Sequence, residues 1–134
     1  MNTIRTISSL WPAVVLGEVG EKKILKEIPL AEASFEITRL NAWVPFETTF
    51  EFVGKDGSIY EATAKLSYWC RKTSENSYTL FWRTSKRRLP PTSKDQNISF
   101  QLHKGRYPKD LTLIVEGDAQ SEHPKVQGIR IVQD

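Results

Sequence analysis

A chain of 134 residues with 39% hydrophobic and 26% charged residues is about one globular domain, and neither disorder nor a membrane class fits that balance. No run of about 18 apolar residues exists, which excludes a conventional spanning helix. One cysteine excludes an internal disulfide and fits a reducing, cytoplasmic setting, while the formal charge of +3 is modest.

Residues 1–20 carry one Arg followed by an apolar stretch at 7–16, faintly as in a signal peptide. Pro12 interrupts that stretch, Ser8 and Ser9 dilute it, and no small-x-small cleavage site precedes Glu18, so a first strand is expected over 13–19. Strands rich in Val, Ile and Phe are also expected at 22–28 and 35–40, and 30–34 suits a helical turn. The clearest pattern begins at Phe46. Phe46, Thr48, Phe50 and Phe52 alternate with Glu47, Thr49 and Glu51, the period of a half-buried strand. Turn chemistry follows at Gly54-Lys55-Asp56-Gly57, and then Tyr60, Ala62, Ala64, Leu66, Tyr68 and Cys70 share one face of a second strand. Together they read as a long antiparallel hairpin over 46–71.

A turn at Thr73-Ser74-Glu75-Asn76 leads into another alternating strand at 77–84. Residues 85–94 form a basic loop that Pro90 and Pro91 hold extended, and further strands are expected near 97–103, 111–116 and 126–132. Gly128 would mark a bulge in the last of these. Eight or nine short strands separated by Gly, Pro, Asn and Ser predict an all-β fold over 1–134. The expected architecture is a single-domain antiparallel β-sandwich or closed β-barrel.

The charge is unevenly placed. Residues 65–109 hold seven of the fourteen aromatics and eleven Lys and Arg against two acids, a local balance of +9; the remainder carries eight against fourteen, or −6. The meaning of this sector depends on the register of the hairpin formed by its first two strands. If Cys70 opposes Leu80, then Leu66, Tyr68, Cys70, Tyr78, Leu80 and Trp82 form an apolar face. The opposite face then gathers Lys65, Trp69, Arg71, Phe81 and Arg83. Rings framed by cations can stack unpaired bases at roughly 1–3 kcal/mol each while the cations meet phosphate. A slip of one residue would mix the faces and dissolve the platform. A bland alternative also fits, in which a second sheet covers Trp69 and Phe81 and leaves the cations at its rim.

Lys86, Arg87 and Arg88 extend the positive charge into the following loop, and Lys104 and Arg106 flank Gly105 in a turn-like segment that ends at Tyr107. Catalytic patterns are thin. Neither His103 nor His123 stands at a recognisable spacing from Cys70, which alternates with core residues. Asp118, Glu122 and His123 lack a zinc-ligand signature, phosphate-binding glycine patterns are missing, and Glu47 and Glu51 share a strand face without a cleft. The expectation is a non-enzymatic binding module without cofactor or metal. Its partner is single-stranded or structured nucleic acid, or alternatively an acidic partner protein, met through Lys65, Trp69, Arg71, Phe81, Arg83, Lys86, Arg87, Arg88, Lys104 and Arg106.

Overall fold

The computed structural model describes residues 4–7, 23–85, 89–102 and 108–134. Eight strands appear among them: β1 Ile4–Ile7, β2 Ile24–Pro29, β3 Val44–Val53, β4 Ile59–Lys72, β5 Ser77–Arg83, β6 Gln96–Gln101, β7 Leu111–Glu116 and β8 Gly128–Gln133. They form two sheets, one of β1, β3, β4, β5 and β6, the other ordered β2-β7-β8. No strand pairing joins the sheets among the described residues, so the architecture is a β-sandwich and the closed barrel falls away. No helix among the described residues is long and apolar enough to cross a membrane.

The long strand β4 organises the larger sheet. Along one edge it pairs with β3, from Val44 opposite Tyr68 to Val53 opposite Ile59. Residues 59–62 also pair with β1 in parallel and residues 67–72 with β5 in antiparallel, so β1 and β5 share the other edge. The expected 46–71 hairpin is present, closed by Gly54 N–H donating to the Ser58 carbonyl at 2.9 Å. Gly57 sits at φ 79°, a left-handed conformation in the turn that suits a residue without a side chain.

Alternation dictates which side is buried. Phe50, Phe52, Tyr60, Ala62, Ala64, Leu66, Tyr68, Cys70, Leu80 and Trp82 point from the larger sheet toward Leu111, Leu113, Val115, Ile129 and Ile131 of the smaller one. Fully burying an apolar side chain of this size contributes about 1.5–3 kcal/mol. The central strand β7 is buried along Leu111–Val115, on both faces, with Thr112 the one polar residue in that run.

Two expectations meet a different outcome, and a third lies outside the described residues. The strand proposed at 13–19 lies outside the described residues, while β1 lies ahead of it. Residues 35–40 form no strand, although Phe35 and Ile37 are buried. Hydrogen bonds from Ala33 N to the Pro29 carbonyl and from Phe35 N to the Leu30 carbonyl close a tight turn at 30–34, which reverses the chain over the core. The Tyr68 hydroxyl then fixes the segment, donating to the Glu36 carbonyl at 3.1 Å and accepting from Thr38 N–H at 3.1 Å. Gly128 marks no bulge; it opens β8 in regular register with Glu116, and the register irregularity falls at Ile24/Lys26 in β2. A Cβ at Gly128 would stand 2.8 Å from Glu116 Oε1, the flexible end of that side chain.

Candidate functional site

Cys70 opposes Leu80, Tyr68 opposes Trp82 and Trp69 opposes Phe81. This is the register on which the aromatic and basic face depends. Tyr68, Cys70, Leu80 and Trp82 enter the core, and Lys65, Trp69, Arg71, Phe81 and Arg83 project from the opposite side of the larger sheet.

What covers that outer side is not the second sheet. It is Trp43, from the segment leading into β3, together with the chain from Leu89 to Asp95. Asn41 N–H donates to the Cys70 carbonyl at 2.9 Å, holding this segment beside β4, and Val44 pairs with Tyr68. Trp43 therefore comes next to Trp69, with ring centroids 5.5 Å apart and planes at 66°. The Arg83 guanidinium lies over Trp43 at 4.5 Å, and Arg71 lies over Phe81 at 5.2 Å. Two cations are thus stacked on two rings, an attraction that grows as water is excluded.

Arg83 is the most constrained member. Its Nε and Nη2 donate to the two carboxylate oxygens of Asp95 at 2.6 Å each, and Nη1 donates to the Leu89 carbonyl at 3.0 Å. Trp43 Nε1 donates to the same carbonyl at 2.9 Å, and Asp95 accepts from Thr92 N–H at 2.8 Å. The fork fits a planar guanidinium to a carboxylate and raises the Arg83 pKa above its usual value, chiefly through the Asp95 hydrogen bonds.

The candidate residues divide accordingly. Phe81 is 7% exposed and is not an open stacking surface. The Arg83 side chain is 8% exposed and already holds a carboxylate, so it is a clamp and not a free phosphate contact. Trp69 is half-buried, with an enclosed indole N–H that has no hydrogen-bond partner among the described residues. Such an orphan costs about 1–3 kcal/mol. Arg71 and Lys65 are exposed, and Lys65 meets Glu47 only at 4.0 Å, a surface pair worth little. Lys65 also rims an open, mainly apolar depression of about 430 Å³ floored by Pro45, Phe46 and Leu66. Lys86, Arg87, Arg88, Lys104 and Arg106 lie outside the described residues.

Two members were not anticipated from sequence. Trp43 stands 22 positions before Lys65, and its place follows only from the β3–β4 register. Asp95 reads locally as one acid in a basic stretch, yet it supplies the countercharge that fixes Arg83.

Elsewhere the chemistry is quiet. Burial pushes the Cys70 thiol up to about 12, which disfavours the thiolate a nucleophile needs. Asp118 is held below the usual carboxylate range, first by the Gln120 N–H and then by Lys23, while Glu122 faces Lys55 at 3.7 Å. Among the described residues no group of three His, Cys, Asp or Glu side chains could hold a metal ion. Comparison with family models, curated proteins and solved structures yields no match to this chain.

Proposed function

We propose that this protein is a non-enzymatic, cytoplasmic binding module that engages single-stranded or structured nucleic acid across the outer face of its larger sheet. The observation that carries this reading is the register Cys70 opposite Leu80, which keeps Lys65, Trp69 and Arg71 together on the side away from the core. Trp43 replaces Phe81 as the second ring, since Trp43 and Trp69 are both half-buried at the surface. Indoles there offer faces to unpaired bases, and Lys65 and Arg71 offer charge to the backbone. Arg83, Asp95 and Phe81 hold the platform rigid beneath them.

The test is fluorescence anisotropy with labelled mixed-sequence RNA and DNA oligonucleotides at low salt, comparing wild type with the double charge reversal Lys65→Glu, Arg71→Glu. Both positions are exposed. A loss of about tenfold or more supports this face, since each phosphate contact adds to affinity. Unchanged affinity removes the face, and no binding by wild type removes the nucleic-acid partner.

A second reading has its own support. A preorganised Trp and Arg cluster beside an apolar depression is also what an acidic partner protein would use as an anchor. Binding that persists at high salt and fails on loss of Trp43 or Trp69 would favour it.

A further inference from the structure

The strand β3 forms an edge of the larger sheet with little to protect it. It runs for ten residues and pairs with β4 in unbroken register along its whole length, while no strand pairs with its other side among the described residues. Edge strands are ordinarily blunted by shortness, bulges, prolines, lysines or inward-pointing charges. At the edge of the smaller sheet β2 shows such devices, with six residues, a register irregularity at Ile24/Lys26, and Pro29. The strands β6 and β8 are also only six residues long. In β3 the one device is Pro45, near an end, and the inward positions Phe46, Thr48, Phe50 and Phe52 carry no charge.

Register shows which groups this edge offers. Gly54 N–H donates to the Ser58 carbonyl, so the hydrogen-bonded pairs with β4 fall at even positions of β3 and the odd positions turn their backbone away. Glu47, Thr49, Glu51 and Val53 therefore present N–H and C=O groups to the free side, and their side chains are exposed. Pro45 is also odd, so the N–H it lacks has no acceptor in β4, which is where an edge strand tolerates proline.

The charges select the occupant. Glu47 reaches Lys65 only at 4.0 Å, and Glu51 stands directly opposite Glu61, a repulsion on that face. A second copy of this chain fits poorly, because antiparallel pairing of two β3 strands about Thr49 sets Glu47 of each against Glu51 of the other. A strand with Lys or Arg facing Glu47 and Glu51 relieves the repulsion. Beside the Val53 end lies an open depression of about 410 Å³, lined among others by Leu25, Phe52 and Ile59, with room for an apolar side chain. We infer that the free edge of β3 takes up an extended basic segment of a partner protein as an added strand, in which cations alternate with apolar residues. Main-chain hydrogen bonds along 47–53 supply affinity, and the two glutamates select the sequence. The inference rests on β3 and does not depend on what the two indoles bind.

Amide exchange and NMR titration of the full chain test it. In the free protein the amides of Glu47, Thr49, Glu51 and Val53 are expected to exchange faster than those of Thr48, Phe50 and Phe52. The probe is a capped peptide of about nine residues alternating Val and Lys, long enough to lie along β3 at about 3.4 Å per residue. It is expected to bind saturably and to slow exchange at those four amides. Methylating its Lys amide nitrogens removes the donors that face β3 and should abolish binding, whereas methylating its Val amides blocks only the far edge and should preserve it. Glu47→Gln together with Glu51→Gln, both at exposed positions, should weaken binding about fivefold, the value of two cross-strand charge pairs. The inference is overturned if the four amides are already protected in the free chain, or if the Val and Lys peptide does not bind. Equal binding by a Val and Glu peptide, by both methylated peptides, or by the double variant overturns it as well.

Discussion

Arg83 and Asp95 meet through two hydrogen bonds of 2.6 Å, with side chains only 8% and 14% exposed. The pair joins the end of β5 to the turn before β6 and sets the position of Trp43 through the Leu89 carbonyl they share. Removing one partner strands the other charge under cover. Asp95→Ala is expected to cost about 3–5 kcal/mol, as for other broken buried pairs, and urea denaturation measures it. A loss below about 1 kcal/mol would place the pair in solvent.

Trp43 is tied to the same carbonyl by its indole N–H. Trp43→Phe keeps a ring under Arg83 and removes that donor, so we expect a loss of about 1 kcal/mol, read from the shift in denaturation midpoint.

The Tyr68 hydroxyl anchors the irregular segment at Glu36 and Thr38, joining it to the centre of β4. Tyr68→Phe leaves Thr38 N–H and the Glu36 carbonyl without this partner. The expected cost is about 1–3 kcal/mol, and amide exchange should accelerate at Thr38 before it does in β4.

Cys70 gives a pH signature. Burial raises its pKa from the ordinary 9.0 to about 12, so the unfolded chain loses this proton first as pH rises. The contribution is therefore fully present below pH 9 and is lost progressively as pH climbs toward 12. Denaturation between pH 8 and pH 10 should show wild type losing more stability than Cys70→Ala across this interval. A thiol reagent should label Cys70 slowly in the folded protein and quickly in denaturant.

The parts of this structure visible in sequence are those fixed by short-range alternation. Phe46 to Cys70 alternates so regularly that faces, turn and pairing partner follow from it, and Tyr78, Leu80 and Trp82 extend the pattern into β5. Phe35 and Ile37 alternate too, yet the turn at Pro29–Phe35 carries them over the core without a strand to pair with. Alternation reports burial there and says nothing of hydrogen bonding. The site was half legible. Its two strands and their common face came from period and register, whereas Trp43 and Asp95 reach it through tertiary contacts that leave no local trace. Phe81 shows the same limit, since an outward-facing residue is buried once a loop and a guanidinium cover it.

The most direct test of the nucleic-acid reading is the salt dependence of oligonucleotide affinity for the wild-type chain. With Arg83 held by Asp95, seven of the eight cations expected from sequence remain candidates, Lys65, Arg71, Lys86, Arg87, Arg88, Lys104 and Arg106, of which only Lys65 and Arg71 lie among the described residues. If all seven displace counterions from a single strand, log affinity falls with log salt at a slope of about −5, roughly a thousandfold between about 50 and 200 mM. A slope shallower than about −1, or no binding at the lower salt, would contradict it.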